Sequence, residues 1–215
     1  MLVGIVIGLI LVASFLYSAP PSDDPNASTS STGSSVSTST VDIGADGGVH
    51  VVTDLHFAAP VDRLTLRVPE GSWSGGEFDP VVDGIELDIA GDQMAHEETL
   101  TTGDRTSVAL PSGTVEVLLE YDATGTFVAS TPSTAGRGLV LLNPLEVKAR
   151  DSLSQVEVLD DRVLNLGCVG TGELSACATR DGRTWIATPV ADADQVIAQV
   201  DLLGGSQDAE TDSNR

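Results

Sequence analysis

Apolar and polar residues alternate with a period of two along much of the chain. Within residues 49–57 the odd positions are Val, Thr, Leu and Phe, while His50, Asp54 and His56 lie on the opposite side. A β-strand turns successive side chains to opposite faces, so this pattern predicts a strand with apolar residues inward and polar residues outward. The same alternation recurs in segments 64–68, 85–89, 115–121 and 156–158.

Turn-forming residues separate these segments at short spacing, beginning with Ala45-Asp46-Gly47-Gly48. Many short strands joined by short turns are typical of sandwiches and barrels. We therefore predict an all-β fold, an antiparallel β-sandwich with a barrel as the alternative. Only segment 191–198 could form a short helix instead of a last strand. Further short apolar runs lie at 127–128, 139–142, 163–166, 185–187 and 196–203.

The first 19 residues form a separate apolar segment. Leu2 to Tyr17 contain no charged residue, and with Ser18 and Ala19 they would make a helix of roughly 27 Å. This is close to the roughly 30 Å of a bilayer core, so residues 1–19 are predicted to be a transmembrane anchor. A cleaved signal peptide is the alternative, but the bulky Tyr17 lies where cleavage after Ala19 would need a small residue. The simplest topology leaves the short amino end inside and exports the domain.

Residues 20–40 are rich in Pro, Ser and Thr and lack a core-forming period, which predicts a flexible stalk. Asn26-Ala27-Ser28 matches the N-glycosylation sequon, so Asn26 is a candidate glycosylation site. The β-domain is predicted to span residues 41–203. Residues 204–215 are polar and acidic and are predicted to be a disordered tail.

Acidic residues outnumber basic ones by 32 to 10, which gives a net charge of -22, and Lys148 is the only lysine. Nucleic-acid phosphates and anionic lipid headgroups are bound by clustered Lys and Arg, so this composition argues against both as partners. Two origins for the acidic composition remain open: life in high salt, and a high-GC genome that disfavours lysine codons.

Cys168 and Cys177 are separated by eight residues that include Gly170 and Gly172. The preceding segment 164–168 is predicted to be a strand, and Cys177 begins the return of the chain toward Trp185. In an exported protein such a pair predicts one disulfide across the base of a loop.

No nucleophile elbow, phosphate loop, dinucleotide fingerprint, zinc motif or calcium loop is present in the sequence. The best constellation is His50, Asp54 and His56, which share the polar face of one strand. Asp54 and His56 are neighbours on this face, close enough to share a metal, and such a site would need a third ligand from another strand. We interpret them as exposed polar side chains, with a metal site as the alternative. Trp73, flanked by serines and glycines, is a candidate carbohydrate platform, whereas Trp185 lies in an apolar run typical of a core. No cofactor is predicted.

Residues Thr124 to Leu145, together with Leu166-Gly167-Cys168, resemble uncharacterised membrane-anchored proteins of actinobacteria. The likeness covers about a quarter of the chain, and that family carries a similar Gly-Arg-Gly run after a strand pair. The resemblance implies an extracytoplasmic β-domain but no particular chemistry.

Two functions are compatible with these patterns. The first is a non-enzymatic binding or structural module of the cell envelope, anchored by its N-terminal helix, with an envelope protein or a glycan as partner. The second is an extracellular hydrolase or metal-dependent enzyme that uses the face formed by His50, Asp54 and His56. Metal content would discriminate between them.

Overall fold

The computed structural model of the chain describes residues 34–70, 72–73, 76–130, 136–148, 152–170, 174–188 and 195–203. The predicted anchor, the candidate glycosylation site at Asn26 and the predicted tail lie outside these ranges. Within them, no helix is long and apolar enough to cross a membrane. The structure also does not describe the side chains of residues 71–77 and 151–153, which include Trp73.

The regular elements of the described ranges are all strands, as the alternating pattern predicted. In chain order they are β1 (Ser35–Ile43), β2 (Val49–Arg67), β3 (Ser72–Trp73), β4 (Gly76–Glu77), β5 (Val81–Ile89), β6 (Asp92–His96), β7 (Leu100–Thr101), β8 (Arg105–Thr124), β9 (Phe127–Ala129), β10 (Arg137–Leu141), β11 (Glu146–Lys148), β12 (Ser152–Leu159), β13 (Val163–Val169), β14 (Leu174–Ser175), β15 (Ala178–Asp181), β16 (Thr184–Ala187) and β17 (Gln195–Asp201).

Most of these strands belong to two sheets. The large sheet has the order β15-β16-β12-β1-β2-β8-β5-β6, with β11 beside β2 and β7 beside β5. The small sheet has the order β14-β13-β17-β10-β9, and β3 pairs with β4 as a separate hairpin. Neither sheet closes on itself in the described ranges, so the barrel alternative is wrong.

One apolar core joins the two sheets. Val51 and Leu119 of the large sheet share this core with Val140 and Ala198 of the small sheet, and all four are at most 1% exposed. Val and Leu at alternate strand positions supply the apolar inward faces that two packed sheets require. The other side of the small sheet carries a second apolar cluster, which consists of Phe78, Leu141, Val169 and Ile197.

β2 and β8 form the longest ladder of the large sheet. Its register shifts between His56 and Val61 and again between Val61 and Arg63. These irregularities surround the exposed Pro60, which has no N–H to donate to a ladder. They divide the ladder into a near half, residues 49–57 with 115–124, and a far half, residues 63–67 with 105–109. β1 and β5 pair with the near half, whereas β11 pairs with the far half.

The turn between β1 and β2 forms where the sequence predicted it. Gly47 has a φ of 85°, which a residue with a side chain rarely adopts. A Cβ at this position would also lie 2.4 Å from Cβ of Phe127. The Thr126 hydroxyl donates to the Gly47 carbonyl at 2.7 Å, so the turn is held against the segment that follows β8.

Two details differ from the prediction. The pairing of β1 with β12 is parallel, so the large sheet is mixed rather than purely antiparallel. β1 begins at Ser35, so the predicted stalk boundary is wrong for residues 35–40. These residues lack an apolar period, but they gain ladder hydrogen bonds from strands on both sides, β2 and β12. A Ser/Thr-rich segment can therefore form a strand without burying apolar side chains, because its backbone is hydrogen-bonded on both sides.

The disulfide between Cys168 and Cys177 is formed, with a Cα–Cα distance of 5.7 Å. Cys168 belongs to β13 of the small sheet, and Cys177 directly precedes β15 of the large sheet. The bond therefore connects the two sheets as well as closing the loop that the sequence indicated. Closing a loop this short stabilises a fold by roughly 2–3 kcal/mol in the chain-entropy view.

Candidate functional site on the outward face of the large sheet

The outward face of the near half is dense in carboxylates. Opposite residues of neighbouring strands point to the same side of a sheet, so the register carries this face from β1 across β2 and β8 to β5. We name this surface the acidic face. It consists of Asp42, Asp54, Asp83, Glu86, Asp88, Glu116, Glu120, Asp122 and Glu157, together with His50 and His56.

Each histidine of the acidic face bridges two carboxylates. His50 places Nδ1 2.9 Å from Asp122 and Nε2 3.5 Å from Glu120. His56 places Nε2 3.2 Å from Asp54 and Nδ1 3.1 Å from Glu116. Of these four contacts, the one between His50 and Asp122 is a hydrogen bond.

The structure separates the candidate metal ligands into two groups. Asp54 and His56 are in contact, as the strand period predicted, but His50 lies six residues from His56, or roughly 20 Å along an extended strand. In the described part of the chain, no group of three or more His, Cys, Asp or Glu side chains could hold a metal ion. The geometry therefore does not bring His50 together with Asp54 and His56 at one site.

Like charges face each other across β5 and β8. Asp83 is the register partner of Asp122, and Glu86 is the register partner of Glu120. Directly opposite residues have Cβ atoms about 4.5–5.5 Å apart, and like charges in such pairs are destabilising. No Lys or Arg of the described ranges forms an ion pair with any carboxylate of the acidic face. The histidines are its positive neighbours when they are protonated.

Carboxylates elsewhere do have basic partners. Arg162 binds Asp160 at 2.6 Å, and Arg183 binds Asp161. The hydrogen bond from Arg183 lowers the pKa of Asp161, and the hydrogen bond with Asp160 raises the pKa of Arg162. The scarce arginines thus neutralise carboxylates around the loop between β12 and β13, and the acidic face is left without them.

A small polar cavity of about 50 Å³ lies between the sheets. On its wall, Ser39 and Thr53 share a hydrogen bond of 2.9 Å. Tyr121 also lines the cavity, and burial raises its pKa against the opposing effect of a hydrogen bond with the Leu145 backbone. Inward-facing hydroxyls are too small to fill this space, which has room for only a few water molecules. The lining also includes Ser37, Ser154, Asn143, Glu146 and Gln195.

Sequence reasoning identified the histidines but missed their partners on β8. Glu116, Glu120 and Asp122 alternate with apolar residues, so their outward orientation was readable from the sequence. Which residues of β2 they oppose depends on the register of two strands far apart in the chain, and no local pattern shows that.

Trp185 packs partly buried against the core, as predicted, with Arg180 5.4 Å from its ring centre.

No family model matches the chain, and no curated protein matches it. Among solved structures it is similar to the M1 zinc metallopeptidase from Deinococcus radiodurans, with a TM-score of 0.35 and 16% identity, over 77% of this chain and 41% of that one. A mutant of that enzyme bound to a Tyr-Ser-Ala substrate gives a TM-score of 0.36 at the same identity and coverage. The chain thus spans less than half the length of these proteins, and a likeness this distant carries nothing about its function.

Replacing Glu86 with Gln should stabilise the fold. The substitution keeps the shape of the side chain and removes the repulsion from Glu120, so we expect the free energy of unfolding to rise by about 0.2–1 kcal/mol at low salt. Added salt screens exposed charges, so the gain should shrink as ionic strength rises. Thermal or urea unfolding at two salt concentrations measures both effects. Asp181→Asn is the matched control, because Asp181 faces Thr184. An equal gain in both variants would contradict the account.

Proposed function

We propose that the chain is a non-enzymatic binding or structural module, held on the outer side of a membrane by its N-terminal apolar segment. The acidic face is its binding surface, and a partner with a positively charged surface is the chemistry it fits. The observation that carries this proposal is the set of like-charged pairs across β5 and β8. Their repulsion weakens the isolated domain, and a cationic partner would relieve it.

The acidic face also exposes apolar side chains that a partner could contact. Leu118 lies between Glu116 and Glu120 and is 41% exposed, and Val36 at the edge of the same face is also 41% exposed. Apolar side chains surrounded by polar ones are the usual composition of a protein interface. Charge of one sign around such a centre mainly accelerates association and selects the partner. These features favour a basic protein surface over a small ligand.

The disulfide supports the outer location. Such bonds persist in oxidising compartments and are rare in the cytoplasm. Both cysteines should therefore resist alkylation in protein isolated from the envelope without reductant, and both should react after reduction. Intact mass measures this directly. Two alkylated cysteines before reduction would overturn the proposed location.

A synthetic polycation tests the binding surface. Poly-lysine should bind the full chain in detergent, and affinity should fall as salt rises, because the attraction is electrostatic. Glu86→Gln combined with Glu120→Gln should weaken binding by roughly fivefold or more, since two charges are lost at the contact. The matched control, Glu70→Gln with Asp181→Asn, makes the same change in net charge away from the face, because Glu70 lies beside Gly103 and Asp181 is the register partner of Thr184.

Two results would contradict the proposal. If both double variants lower the affinity for poly-lysine equally, binding depends only on net charge and the acidic face has no special role. Stoichiometric zinc or copper in the purified chain, lost on His56→Ala, would replace the binding module with a metal-dependent protein.

A further inference from the structure

Two of the three histidines of the chain belong to the acidic face. Histidine is the side chain whose charge ordinarily changes between about pH 5 and 8, whereas ordinary carboxylates stay mostly ionised above about pH 5.5. His50 and His56 are therefore the groups of this face that can gain a positive charge close to neutral pH. Their side chains are 39% and 51% exposed, so they are accessible to a partner that covers the face.

His50 faces carboxylates on both neighbouring strands. On β8, its register partner Asp122 has an oxygen 2.9 Å from Nδ1, and Glu120 lies 3.5 Å from Nε2. On β1, its register partner is Asp42. All three neighbours carry negative charge, so a proton on this ring places a cation among anions.

His56 has a similar environment. Its Nδ1 lies 3.1 Å from Glu116, its register partner on β8, and its Nε2 lies 3.2 Å from Asp54 on its own strand. Its register partner on β1 is the apolar Val36. None of the carboxylates that face the two histidines forms an ion pair with a Lys or Arg of the described ranges.

Protonation of the two rings changes the charge that a partner meets. With neutral rings, the carboxylates beside His50 and His56 are free to attract a cation. With charged rings, each imidazolium lies within 3.5 Å of two of them. A cationic partner then competes with the imidazolium groups for the same carboxylates, and the net negative charge of the face is smaller by two.

We propose that His50 and His56 make binding at the acidic face dependent on pH, so that a cationic partner is held at neutral pH and released in mild acid. The inference rests on the proposed function and adds the proton as the ligand that regulates it. Such a coupling is reciprocal, because a bound cation disfavours the charged form of the rings. Binding should therefore release protons.

The test measures the affinity of the full chain in detergent for poly-lysine at about pH 7.5 and about pH 5.8. The ammonium groups of poly-lysine stay charged at both values, so the change in charge is confined to the chain. The affinity of the parent chain should fall by roughly fivefold or more at the lower pH, because two positive charges appear at the contact.

Two double variants fix the charge at the histidine positions. His50→Gln with His56→Gln is uncharged at both pH values and should bind tightly at both. His50→Arg with His56→Arg is charged at both and should bind weakly at both. The matched control is His96→Gln, because His96 is the register partner of the buried Ile85 and lies on the other side of the sheet. This control should keep the pH dependence of the parent chain.

Proton release gives a second measurement of the same coupling. Calorimetric titration with poly-lysine at about pH 6.5, in two buffers of different ionisation enthalpy, yields the number of protons exchanged on binding. The parent chain and His96→Gln should release protons. The double glutamine variant should lose this release, because it lacks the two titrating rings of the face.

The possible failures are distinguishable. If poly-lysine does not bind at about pH 7.5, or if Glu86→Gln with Glu120→Gln weakens binding no more than its control, the proposed binding surface fails and its regulation with it. If the surface binds but the double glutamine variant keeps the pH dependence, carboxylates are the titrating groups and the role of the histidines alone is refuted. Equal affinity of the parent chain at both pH values would refute it as well.

Discussion

The ladder between β2 and β8 is the constraint on which the rest of the structure depends. These strands have 19 and 20 residues, and β1, β5 and β11 all pair with one of them. The ladder must therefore present apolar side chains inward along nearly its whole length while its outward side remains in water. The irregular register around Pro60 and Val61 interrupts it once and leaves two outward surfaces instead of one continuous face.

Outward-facing acidic and basic side chains occupy different halves of this ladder. The near half carries carboxylates with no arginine or lysine among their ion-pair partners in the described ranges, and the far half carries arginines with one paired glutamate. Sorting of this kind costs stability, because opposite-charge pairs across strands would be more favourable than Glu86 facing Glu120 or Arg67 facing Arg105. The shared core and the disulfide between the sheets supply stability that offsets this repulsion.

The sequence was informative wherever a local pattern decides the structure. Alternation in 49–57 and 117–121 predicted strands with the correct inward faces, whereas Val115, predicted to face inward, is 44% exposed. The glycine-containing loop predicted the disulfide. It was misleading for residues 35–40, where pairing on both sides creates a strand from serines and threonines. The acidic face and the facing arginines Arg67 and Arg105 depend on register between strands about 40 to 70 residues apart in the chain, as the pair His50 and Asp122 also shows. One sequence contains no signal for such long-range pairing, so the charge sorting becomes visible only in the fold.

A double-mutant cycle between Glu86 and Glu120 tests the central claim most directly. Unfolding free energies of the parent chain, Glu86→Gln, Glu120→Gln and the double variant at low salt isolate the energy of the pair from all other changes. We predict that Glu86→Gln is more stable than the parent and that its gain is smaller in the Glu120→Gln background, because the repulsion between the two side chains is already gone there. A coupling energy of zero, or an attraction between the two side chains, would contradict the claim that the acidic face holds uncompensated charge.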